Sequence, residues 1–177
     1  KEDFNAIILD LGGGTTDIAV IEKGVVAGTK MFAFGGRVIT KRMAHDFGID
    51  LNAAEDLKIS YSNGKAQKAE SDKIKSVLVK DFQVWADGVE LGLKEIEDVE
   101  SYPSVIYLCG GSSALPEVKT ALMEHPWLQV LHFMKFPRVE FLYPKNLDEI
   151  EDLTRSIIDP MDVTPLSLAR MVLENNK

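Results

Sequence analysis

The stretch "AIILDLGGGTTDIAV", Ala6 to Val20, decides how the rest of the chain is read. An apolar run meets an aspartate, three consecutive glycines, two threonines and a second aspartate, and then apolar alternation returns. Alternation of period two is a strand signal. Glycine has no Cβ, so the turn between two such strands lets other atoms approach its main chain closely. Successive N–H groups in a turn of this kind can converge on an anion. Thr15 and Thr16 would add hydroxyl donors, and Asp10, at the end of the first strand, offers the hard oxygen that a hydrated Mg²⁺ prefers.

Around this loop the pattern predicts an antiparallel meander. Its strands are Phe4 to Leu9, Thr16 to Glu22, and Val25 to Phe34 after a Lys23-Gly24 turn. After Gly35-Gly36 the period changes to that of a helix through Val38, Ile39, Met43, Ala44 and Phe47, and Gly48 is placed to end it. Asn52 is the expected cap of a second helix, Ala53 to about Ser60, and "SNGK" at 62–65 a turn. The polar stretch to Ser71 is expected to be a short excursion or hairpin. Ser71 or Asp72 should then cap a long helix whose stripe is Ile74, Leu78, Phe82, Trp85, Val89, Leu93 and Ile96. Gly88 and Gly92 each weaken that helix by about 1 kcal/mol relative to Ala. A buried strand from Ser104 to Cys109 leads into a glycine turn and a helix. Gln129 to Phe133 and Arg138 to Leu142 read as strands, Asp148 to Asp152 as an acidic helix start, and Thr164 to Glu174 as a last helix. The sum is an α/β fold.

Composition narrows the function classes. The 177 residues suit one compact domain or one lobe of a larger one, burying roughly 70% of the unfolded surface. A net charge of −8 disfavours unspecific contact with nucleic acid or an anionic membrane. Cys109 is the one cysteine, so no internal disulfide forms and a cytoplasmic location is expected. No apolar run approaches the roughly 20 residues of a membrane span. His45, His125 and His132 have no ligand spacing with Cys109, which argues against a zinc site. Neither G-x-x-x-x-G-K-[ST] nor G-x-G-x-x-G occurs, so a P-loop or dinucleotide motif is excluded. Three glycine turns, Gly12-Gly13-Gly14, Gly35-Gly36 and Gly110-Gly111, each follow a strand and together point to phosphate binding. By spacing alone, Glu55 and Lys58 form an i,i+3 ion pair on one helix face.

"ILDLGGGTTDIAV" closely resembles the second phosphate motif of the actin-like ATPase superfamily, and "VIYLCGGSSALPEV" its adenosine motif. Between them, "FGGRVITKRMAHDFGIDLNAAEDLK" resembles the bacterial cell-division protein FtsA and the pilus-assembly protein PilM more than actin. "VEFLYPKNL" and "DVTPLSLARMVL" also fit the FtsA layout. The resemblance implies a ribonuclease H-like actin-fold lobe: a mixed sheet opening with an antiparallel three-strand meander, with helices packed on it. Residues 1–50 and 101–177 would form its core and 51–100 a helical accessory part. It implies ATP with Mg²⁺ as cofactors. Asp10 would act near the metal and the hydrolytic water, and Gly12, Gly13, Gly14, Thr15 and Thr16 near the phosphates. Gly35 and Gly36 would approach ribose and phosphates at a helix start, where amides and the helix dipole favour anions. Glu55 and Lys58 would touch ribose and adenine, and Gly110, Gly111 and Ser112 would lie on the adenosine. The superfamily's other lobe carries its own Asp-x-Gly motif, after a strand and before small hydroxyl residues. Beyond Asp10 to Thr16 no second such motif occurs here, since "HDFGID" and "ADGVE" lack that strand and those hydroxyls. The resemblance is therefore to the second lobe alone. It implies an ATPase active only when completed, with self-association or a cell-division or pilus protein as partner, in the cytoplasm at the inner membrane face. The alternatives are a PilM-like scaffold with structural or no nucleotide, and a non-catalytic interaction lobe whose glycines only make turns.

Overall fold

A computed structural model describes residues 3–97, 99–147 and 152–175. Its centre is a five-stranded sheet in the order β3-β2-β1-β4-β5. Strands β1 (Ala6–Leu11), β2 (Thr16–Glu22) and β3 (Val25–Phe32) form the expected antiparallel meander. Strands β4 (Val105–Cys109) and β5 (Arg138–Phe141) add to β1 in parallel. The sheet is therefore mixed, as expected. The first strand runs two residues further than the apolar run suggests, because Asp10 and Leu11 still pair with Asp17 and Thr16. The Lys23-Gly24 turn has φ of 51° and 77°, the paired positive values that two-residue hairpins need.

Helices α1 (Gly36–Phe47), α2 (Leu51–Ser62) and α3 (Lys68–Lys94) follow the meander. Gly48 ends α1 in the left-handed region at φ 64°. The cap of α2 is Asp50, not Asn52: its carboxylate accepts from the amides of Asn52 and Ala53, both at 2.9 Å, and a negative charge complements the helix N-terminus. Helix α3 begins before Ser71, so 68–71 is helix and not a hairpin. Glu70 reaches back to accept the Gln67 amide at 3.2 Å, and half-buried Ala66 anchors the entry against the core. The predicted stripe is buried in full, with Ile74, Leu78, Phe82, Trp85, Val89 and Leu93 at 0% exposure. Gly92 gives the close approach its sequence position could not explain, since a Cβ there would lie 2.6 Å from Ile18 Cδ1. The entropy cost of glycine is offset by seating α3 directly on the sheet.

Beyond β4 come α4 (Pro116–Glu124), the single-turn α5 (Trp127–Val130) and α6 (Val163–Asn175). The strand expected at Gln129 to Phe133 is not formed. Pro126 starts a helical turn there, Trp127 is fully buried with Nε1 donating to Leu122 O at 2.7 Å, and only a Tyr102–Phe133 bridge remains. The "FMKFPRVEF" stretch thus supplies one strand, β5. Residues 148–151 of the expected acidic helix start lie outside the described residues. Asp152 sits in a turn, accepting from the amides of Thr154 and Ile157.

Candidate functional site

The three glycine turns converge at the C-terminal ends of β1 and β4. The first closes by a Gly12 amide donating to Thr15 O at 3.0 Å. Gly12 O then accepts from the Gly36 amide and from Ser112 Oγ, both at 3.0 Å, and Gly13 O accepts from the Arg37 amide at 2.8 Å. The first two amides of α1 are thus consumed by the loop. The open donors are in the loop itself: among the described residues, the amides of Gly13, Gly14 and Thr15 donate to no protein acceptor. Successive free N–H groups of this kind can converge on an anion.

Close approach explains the glycines. A Cβ on Gly35 would lie 2.7–2.8 Å from the backbone of Gly12, Gly13 and Gly14. A Cβ on Gly36 would overlap Ser112 Oγ and lie 3.1 Å from Lys58 Nζ. Gly110 combines φ of 87° with contact against the Asp10 carboxylate and Leu11 O.

A cavity of about 680 Å³ opens beside the loop, lined by Gly13, Gly36, Glu55, Lys58 and the Gly110–Ser112 turn among others. This volume lies within the range of small-molecule sites, roughly 300–1,000 Å³. Lys58 is buried, and its ammonium donates to Gly36 O at 3.2 Å and to Thr40 Oγ1 and Glu55 Oε2 at 2.9 Å. Its three protons are spent inside the protein. Burial pushes the Glu55 carboxyl up, but the hydrogen bonds from Thr40 and Lys58 outweigh it and hold it below the usual range. Glu55 Oε1 takes no protein hydrogen bond among the described residues.

Asp10, Gly12, Gly14, Thr15 and Thr16 do not line that cavity. Asp10 lies on the opposite sheet face from Leu9 and Leu11, in a shallow depression with Ile8 and Asp17. Thr15 donates to Asp17 Oδ2 at 3.0 Å. Thr16 is turned into the core, donating to Phe34 O at 2.8 Å and accepting from Trp85 Nε1 at 2.9 Å. Strand parity carried that signal, because Ile18 and Val20 fix Thr16 on the inner face. Thr40, Thr164 and Pro160 escaped sequence reading. Thr164 Oγ1 donates to Asp10 Oδ2 at 2.5 Å, and Pro160 O accepts from the Gly110 amide at 3.1 Å. His125 pairs with Glu90 at 2.7 Å and ties the end of α4 to α3.

Burial, then the charge of Asp10, pushes the Cys109 thiol up to about 12. The raised value stabilises the fold below the ordinary thiol value of 9.0 and is lost as pH rises toward about 12. Urea midpoints are expected to fall across that window, and less steeply in Cys109→Ala. Equal slopes would show that the thiol is not what titrates.

The family model described as "FtsA: Cell division protein FtsA" matches residues 7–162. The Neisseria meningitidis cell division protein FtsA is 41% identical over 61 residues, 34% of this chain and 15% of that protein. The Enterococcus hirae cell division protein FtsA is 27% identical over 137 residues, 67% of this chain and 31% of that protein. The chain thus spans less than a third of the length of these curated relatives. Among solved structures, the type IV pilus biogenesis complex PilM–PilN aligns with a TM-score of 0.64 at 23% identity, over 96% of this chain and 46% of that one. The ethanolamine utilization protein EutJ from Carboxydothermus hydrogenoformans gives 0.58 at 23% identity, over 90% and 48%. These likenesses fix the fold as the α/β fold of the actin-like ATPases. With its profile match running from β1 to the turn before α6, the chain belongs to the FtsA family of cell-division proteins.

Proposed function

We propose that this chain is the second nucleotide-binding lobe of an FtsA-like ATPase, with residues 1–50 and 101–177 as its core and 51–100 as its helical part. The observation that carries the reading is the row of free amides at Gly13, Gly14 and Thr15 beside the cavity of Glu55 and Ser112. Those amides would bind phosphate oxygens, while Glu55 Oε1 would accept from a ribose hydroxyl. Gly36 and the Gly110–Ser112 turn line the cavity that a flat adenosine would fill. The Asp10 carboxylate suits Mg²⁺, which favours hard oxygen ligands and keeps its waters. Bound there, Mg²⁺ would neutralise charge on the phosphates. Asp10 would also orient the attacking water, so catalysis would be positioning and electrostatics.

One wall of a cleft binds weakly. Leu168, Met171 and Val172, spaced three and four apart on α6, are 58–60% exposed, which is consistent with a face that another lobe covers. The intact protein would self-associate or dock a cell-division or pilus partner at the cytoplasmic face of the inner membrane. Among the described residues no helix is long and apolar enough to cross a membrane. Isothermal titration of the chain with Mg-ATP should show weak, saturable binding and no turnover. Sub-micromolar affinity with steady hydrolysis would overturn the half-site reading, and no binding at millimolar ATP would overturn the nucleotide reading.

A further inference from the structure

The start of α6 and the Asp10 carboxylate are joined by one hydrogen bond between residues 154 apart in sequence. Thr164 Oγ1 donates to Asp10 Oδ2, while Oδ1 packs against the α-carbon of Gly110. Gly110 in turn donates its amide to Pro160 O, just before α6. The segment 160–164 thus grips the end of β1 and the turn after β4 at two points, and Asp159, Pro160 and Met161 also line the cavity. Val163 and Leu166 are the buried side chains of α6 among the described residues, and both lie in its first turn or just beyond.

We propose that Thr164 is a positioning residue that holds the Asp10 carboxylate in one orientation and couples its occupancy to the seating of α6. A carboxylate held by a hydroxyl donor keeps its remaining lone pairs aimed and loses no rotamer freedom when a cation or its water arrives. Linkage makes the effect reciprocal: whatever binds the oriented Asp10 more tightly also stabilises the seated helix. The clip itself rests on geometry alone, and the identity of the ligand rests on the nucleotide reading above.

Amide hydrogen exchange of residues 167–170, the first donors bonded within α6, reads the seating directly. In the ligand-free chain, Thr164→Val is expected to speed their exchange about tenfold, with exchange in β1 and α3 unchanged, and Thr164→Ser to restore it. Asp10→Ala should weaken the same amides, and the double variant should be no worse than Thr164→Val, because each single change removes the same bond. In the wild type, ATP with Mg²⁺ should slow these amides more than ATP with EDTA. In Thr164→Val the gain in ATP affinity from Mg²⁺ should shrink while metal-free affinity holds. Unchanged exchange in Thr164→Val, additive single variants, or equal loss of metal-free and Mg²⁺-dependent affinity would each overturn the proposal. If the wild type binds no ATP, the nucleotide reading falls and the ligand-free exchange cycle decides the clip by itself.

Discussion

Gly35→Ala is expected to abolish detectable Mg-ATP binding while the chain still folds. Gly35 has φ −164° and ψ −174°, extended values that any residue adopts, so the backbone is not strained by the change. The obstacle is steric. The new methyl would lie 2.7 Å from Gly14 N and 2.8 Å from Gly12 O and Gly13 C, and main chain cannot swing aside as a side-chain tip can. The loop must shift, and the three free amides move with it. Overpacking of this kind costs about 1–3 kcal/mol, and a domain of this length loses about 2–4 °C of Tm per kcal/mol. The check is an amide titration by NMR: shifts of Gly13, Gly14 and Thr15 on adding Mg-ATP should vanish in the variant. A titration like the wild type would refute the assignment of the loop. Gly14→Ala is the control. A Cβ there meets nothing within 4 Å, so the fold should be unchanged and any loss of affinity would come from contact with the ligand.

Thr16→Val is expected to cost about 3 kcal/mol of stability, without touching the cavity. Valine matches the shape of threonine but cannot hydrogen-bond. The change strands Phe34 O and Trp85 Nε1, which the fully buried hydroxyl joins at 2.8 and 2.9 Å. Each orphaned buried polar group costs about 1–3 kcal/mol. Urea denaturation should show the loss at unchanged m-value, and Thr16→Ser should recover most of it. A loss below about 1 kcal/mol would mean that the two groups find other partners.

These two residues mark what could be read early. Gly35 stands in a strand–Gly-Gly–helix pattern that marks a tight turn at a helix start, while its contact with the backbone of Gly12, Gly13 and Gly14 is tertiary. Thr16 looked like a second phosphate donor beside Thr15. Neighbouring residues of a strand face opposite ways, so one of the two had to point inward, and the β1–β2 register chose Thr16. The helix caps differ from the sequence expectation for a related reason: they are Asp50 and Gln67. Asn52, Ser71 and Asp50 are all competent caps, and the choice depends on where the first turn packs against the core.

Sequence by itself determined the meander, the long buried stripe of α3, the strand–turn–helix after Val105 and the glycine turns. Each depends on local period or on a residue type that one backbone geometry demands. Tertiary structure decided which polar groups remain free. Lys58 spends its protons on Gly36, Thr40 and Glu55, the amides of α1 are taken by Gly12 and Gly13, and Asp10 is gripped by Thr164 from the far end of the chain. Hydrogen-bond satisfaction is set by distance in space between residues far apart in sequence, and no local pattern encodes it.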